Sequence, residues 1–164
     1  MSFPPQGSAS SSTWTKLETL KPSAASSATT GTLTAYDEYL VYFQLRGSTQ
    51  ATLQLQLNGD TGTNYAERYI NDSETISVAS SQNEVLIVTI DSAFPGTGIL
   101  LIQGVTAAVA SGEGAISISA SGRNNDVGIE GRWQGGNATQ VSTITLKPST
   151  GNFTGNISVF GRNY

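Results

Sequence analysis

Twelve carboxylates and eight cationic side chains make up the formal charge of this 164-residue chain, which has neither cysteine nor histidine. That excludes disulfide frameworks, Cys/His zinc sites, cysteine nucleophiles and every histidine-dependent triad. Catalysis by paired carboxylates is the chemistry left, and glycoside hydrolysis needs two acids roughly 5–10 Å apart across a cleft. The acids include Asp37 and Glu38, Asp60, Glu67, Asp72 and Glu74, Glu84, Asp91, Glu113, Asp126 and Glu130. Nearly all fall in turns or at strand edges, where carboxylates are ordinarily solvated. Glu130 and Arg132 alternate on one strand face beside Trp133, a spacing that suits a cross-strand ion pair better than an active site. The expectation is a protein that is not an enzyme, with no catalytic residue, no cofactor and no metal site.

The run Asn58-Gly59-Asp60-Thr61-Gly62-Thr63-Asn64 offers side-chain oxygens at alternate positions, as calcium loops do. It lacks the charge count and the closing bidentate Glu of a helix-loop-helix site. A glycine-rich hairpin loop held by Asx turns is the better reading. Tyr65, Tyr69 and Trp133 lie near turns or strand ends, where aromatic rings either stack on a glycan at the surface or cover the core.

The elements that would position these residues are strands. Only 12% of residues are charged, against about 25% in an ordinary domain, while 21 Ser, 20 Thr and 18 Gly favour strands and turns. Apolar residues alternate with period two in Tyr39 to Leu45, Leu53 to Leu57, Ile116 to Ser119, Val127 to Glu130, Val141 to Lys147 and Ile157 to Phe160. A weaker strand runs from Lys16 to Lys21, and Val85 to Ile90 and Ile99 to Val105 are denser runs suited to central strands. Pro22 to Thr32 reads as a loop. The best helical stretch, Tyr65 to Ile70, is too short to stand as a helix. Eight to ten strands at 8–14-residue spacing imply an all-β, antiparallel β-sandwich of jelly-roll type. Leu55, Leu57, Val85, Ile87, Ile102, Ile144 and Phe160 are the expected core.

The expected organisation is a flexible N-terminal arm over residues 1–13 and a single domain over 14–164. The arm is Ser- and Pro-rich, and Phe3, Pro4, Pro5 and the adjoining Trp14 are its candidate partner-binding residues. A net charge of −4 gives no electrostatic footprint for nucleic acid. Met1 to Pro5 has no basic or apolar character of a signal peptide, and the longest apolar run, Ile99 to Ile102, is far below the ~20 residues that span a bilayer. Neither nucleic acid nor a membrane is an expected partner.

Two longer patterns carry a family likeness. Thr34 to Tyr42 leads to Leu55-Gln56-Leu57-Asn58-Gly59-Asp60-Thr61-Gly62-Thr63-Asn64-Tyr65. Gly131-Arg132-Trp133 and Ile144-Thr145-Leu146 precede the closing Gly151-Asn152-Phe153-Thr154-Gly155-Asn156-Ile157-Ser158-Val159-Phe160-Gly161. Over most of residues 14–161 the chain resembles the small all-β structural proteins of tailed viruses, the bacteriophage capsid decoration and tail modules. The resemblance implies a jelly-roll domain, a homotrimer, and display on a virion after synthesis in the host cytoplasm. It implies a capsid decoration protein bound to the major capsid protein or other virion proteins; the alternative is a tail or fibre module binding a host receptor or glycan. The Ser/Pro-rich leader lies outside the resemblance.

Overall fold

A computed structural model of the chain describes residues 13–71, 76–103, 116–122, 126–133 and 140–164, with backbone alone at 69–71, 76–77, 116–122 and 126–129. The alternating runs become strands because one face of each has apolar side chains to bury. In chain order these are β1 (Thr15–Leu20), β2 (Ala28–Thr29), β3 (Glu38–Gly47), β4 (Ala51–Leu57), β5 (Tyr65–Asn71) and β6 (Ile76–Gln82). Then come β7 (Val85–Ile90), β8 (Gly96–Gln103), β9 (Ile116–Gly122), β10 (Asp126–Trp133), β11 (Ile144–Pro148) and β12 (Phe153–Arg162). The described residues contain no helix.

Two antiparallel sheets form. The larger has the order β1-β12-β3-β8-β9-β10-β5-β6, and the smaller β2-β11-β4-β7. The inner side of β3 supplies Tyr39, Val41, Phe43 and Leu45, while β12 adds Phe153, Ile157 and Val159. Facing them are Leu53, Leu55 and Leu57 of β4, Val85, Ile87, Val88 and Ile90 of β7, and Ile144 and Leu146 of β11. Burying one such aliphatic side chain stabilises the fold by about 1.5–3 kcal/mol, so this layer holds the sandwich together. The chain is an antiparallel β-sandwich, as the alternation predicts.

Gly155 lets β12 run close across β3. Its φ is 150°, and a Cβ there would lie 2.1 Å from the Gln44 carbonyl oxygen, so no other residue fits without moving backbone.

The structure corrects several expectations. There are twelve strands in the described residues, more than the eight to ten expected, because short or polar elements escape a hydrophobic-period reading. The expected loop from Pro22 to Thr32 contains β2, two residues long, fixed by the Thr30 N–H donating to the Ile144 carbonyl, by the Ile144 N–H donating to Thr30 Oγ1, and by Ala28 and Thr29 pairing with β11. Tyr65 to Ile70 lies in a strand, β5. Six of the seven expected core residues are buried, but Phe160 is half-buried on the outer face of β12, one residue out of phase with Ile157 and Val159.

Candidate functional site

The segment from Leu57 to Tyr65 carries the chain from β4 in one sheet to β5 in the other, so it is a crossover and not the expected hairpin. Asn58 and Gly59 both have positive φ, 54° and 66°, and the Asp60 N–H donates to the Leu57 carbonyl, the pattern of a type I′ turn. Asn58 Oδ1 accepts from the N–H groups of Ser142 and Thr143, and its Nδ2 donates to the Gln140 carbonyl. Asp60 Oδ1 accepts from the Gly62 N–H at 2.8 Å, the expected Asx turn, and both oxygens accept from Asn64 Nδ2. Trp133 Nε1 completes the set at 2.6 Å from Asp60 Oδ2. Partial burial pushes the Asp60 carboxyl up, but these donors outweigh it and hold the group below its ordinary value. Both Asp60 oxygens are therefore occupied by the loop's own donors and Trp133, and Asn58 Oδ1 by Ser142 and Thr143. Among the described residues no group of three acidic side chains is placed to hold a metal ion.

Beneath this loop the rings of Tyr65 and Trp133 stack with centroids 6.4 Å apart. Both are 1% exposed, so neither offers a face to a glycan. Their role is cover and anchor: Tyr65 Oη accepts from the Leu57 N–H, and burial raises its proton affinity. Tyr69 pairs with Ile129 and Ser77 through β5, and its side chain lies outside the described residues. Glu130 and Arg132 are exposed, with Glu130 opposite Arg68.

The outer side of the large sheet carries apolar side chains open to solvent. On β3 the residues that point away from the core are Glu38, Leu40, Tyr42, Gln44 and Arg46. Leu40 stands between Phe160 of β12 and Leu101 of β8, all half-buried; Tyr42 stands opposite Ile99, and these two are 46% and 47% exposed. Five large apolar side chains thus share one solvent-facing patch. It ends in polar residues at Gln44, Thr97 and Asn156 on one side.

At the other side it ends in an ion cluster. Glu38 is 1% exposed; Gln103 Nε2 donates to one carboxylate oxygen, and Arg162 donates to the other from Nε at 2.9 Å and from Nη2. The Arg162 guanidinium lies 4.6 Å from the Trp14 ring centroid and 4.9 Å from that of Tyr164. Burial pushes the Glu38 carboxyl up, yet donors from Tyr164, Gln103 and Arg162 together pull it below the ordinary carboxylate value. Trp14, expected to bind a partner, is here half-buried against Arg162, immediately before β1. Phe3, Pro4 and Pro5 lie outside the described residues.

Sequence reading missed a third feature. Glu67 is 4% exposed on β5, and its Oε2 accepts the Leu86 N–H of β7 at 2.8 Å. Leu86 is bonded on the side of β7 that faces away from β4, so a carboxylate closes the edge of the small sheet. Burial, reinforced by the neighbouring charge of Glu84, raises its proton affinity. Nothing in the local pattern separates Glu67 from a solvated strand acid, because its partner comes from a different sheet.

No protein-family model matches the chain, and no curated protein matches it. What the geometry defines is a class: an antiparallel β-sandwich whose loop acids serve its own backbone and whose large sheet presents an apolar outer patch.

Proposed function

We propose that this chain is a non-enzymatic structural protein of a virion, a capsid decoration protein that binds the major capsid protein through the outer face of its large sheet. The observation that carries the reading is the strand pairing. β1 pairs with β12, β2 with β11, β3 with β8 and β4 with β7, and the layers close through β3 with β12 and β4 with β11. We read this order as one antiparallel ribbon wound upon itself, with β5–β6 and β9–β10 inserted in one sheet, and it supports the jelly-roll assignment. Viral capsid domains are among those that use this winding, and the family likeness of residues 14–161 points the same way; fold alone is an analogy, not a mechanism. The patch of Phe160, Leu40, Leu101, Tyr42 and Ile99 supports attachment, since a rigid sheet face binds without ordering new chain. The glycan-binding alternative loses its support at Tyr65 and Trp133, which are buried.

Antiserum against the purified chain, applied to tailed particles from cells that produce it, tests the reading. Dense labelling over the head, with many copies per particle by quantitative mass spectrometry, is the expected result. Label confined to the tail tip at a few copies moves the assignment to a tail module, and absence from purified particles overturns both. Tyr42→Lys and Ile99→Lys should each weaken attachment while leaving the circular dichroism spectrum unchanged.

A further inference from the structure

An antiparallel sandwich has four outer strand edges, each with backbone N–H and C=O groups ready to pair with another chain, and folded proteins blunt such edges. Three are blunted here. β1 carries Lys16 and Glu18 and a register irregularity between them. β2 is two residues long. On β7 the Glu67 carboxylate takes the Leu86 N–H, and the strand packs against the large sheet. β6 differs from all of them. Its seven residues, Ile76-Ser77-Val78-Ala79-Ser80-Ser81-Gln82, include no charge and no proline, and among the described strands it pairs with β5 alone. Val78 is 73% exposed, the most exposed large apolar side chain among the described residues. A bulge bends the strand near Ser81, whose φ is 59°, and leaves a regular ladder from Ile76 to Ala79.

We propose that β6 is a self-association edge, adding antiparallel to β6 of a second copy across a two-fold axis so that the two large sheets become continuous. The occupant follows from symmetry and chemistry. An antiparallel edge is complementary to itself, because a two-fold rotation brings its outward N–H groups onto its own outward carbonyls. The register irregularity between Lys16 and Glu18 interrupts the regular ladder that self-pairing needs at β1, and the charges there keep that edge solvated, whereas the uncharged regular ladder from Ile76 to Ala79 leaves β6 open to it. Val78 then gains apolar cover from the partner strand while Arg68, one strand further in, stays in solvent. This pairing does not depend on the virion reading, since it needs only the fold and the edge.

The chain's freedom from cysteine gives a clean test. Single cysteines are placed in the full chain at Ser77, Val78, Ala79 and Ser80 in turn, with Lys16→Cys and Glu18→Cys on β1 as controls. Opposed antiparallel residues lie about 4.5–5.5 Å apart between Cα atoms, within disulfide reach, so a residue near the axis cross-links to itself. Mild oxidation should give a covalent dimer in high yield for one or two β6 positions and none for β1. Light scattering of the wild type should give twice the 17.1 kDa chain mass, and Val78→Lys should halve it with an unchanged far-UV circular dichroism spectrum. Ile99→Lys, on the outer face, should keep the dimer. A wild-type mass of one or three chains overturns the pairing, as does cross-linking at β1 in place of β6, or dissociation by Ile99→Lys with Val78→Lys still dimeric.

Discussion

Burial makes a carboxyl group hold its proton more tightly, and Glu67 and Glu38 resolve that cost in opposite ways. Glu67 has one backbone donor and a like-charged neighbour in Glu84, so its folded-state proton affinity lies above that of the unfolded chain. Its contribution to stability is full below the ordinary carboxylate value and is lost as pH rises through the raised one. Glu67→Gln keeps an acceptor for the Leu86 N–H and removes the buried charge. The variant should therefore match the wild type near pH 4 and melt higher than it near neutral pH, the gap widening between. Parallel melting curves across that interval would show that Glu67 is not desolvated. Glu38 is held low by its donors, so its contribution is present above the ordinary value and fades in acid. Glu38→Gln should melt below the wild type at neutral pH and converge with it as the carboxylate protonates. Trp133→Phe keeps the stack on Tyr65 but removes the donor to Asp60, and should cost about 1–3 kcal/mol by chemical denaturation.

At the scale of the element, the two faces of one strand separate by burial. Leu55 is fully buried between the sheets, and Leu55→Ala should lose about 2–5 kcal/mol in urea unfolding. Phe160→Ala removes a larger side chain from the outer face yet should cost less, because solvent already reaches it. A larger loss at Phe160 than at Leu55 would reverse the assignment of faces. The period-two pattern made Leu53, Leu55 and Leu57 legible as core and made the sandwich legible as a class. It did not place Phe160, because a run apolar on both sides gives no sign of which side is inward. Nor did it place Trp133 and Tyr65: an aromatic near a turn looks the same whether it roofs the core or faces solvent. The bonds that decide are Trp133 to Asp60 and Tyr65 to Leu57; the first joins residues far apart in the chain, and the second depends on a turn whose crossover course appears only in three dimensions. Asp60 itself was legible, since Asn-Gly-Asp-x-Gly encodes its own turn.

For the whole molecule, the nesting of early strands against late ones governs how it forms. Thr15 pairs with Gly161 and Ala28 with Leu146, so the ladders close across nearly the full described length. Such long-range pairing places loop-closure entropy ahead of the contacts that repay it, and refolding should fall in the millisecond-to-second range of all-β sandwiches. Stopped-flow fluorescence of Trp14 and Trp133 follows it, and a microsecond phase carrying the whole amplitude would contradict this topology. The same neighbouring of β1 and β12 fixes how the protein bears load. Their antiparallel bonds lie across the strands, with Thr15 and Gly161 at the end from which both chain ends depart. Tension applied through those two ends peels the β1–β12 ladder one bond at a time, starting at the Trp14–Arg162 contact, whereas a pull delivered across the sheet face must shear many bonds together. Tethered by its ends the molecule is a weak link, and gripped by its broad face it is a strong one.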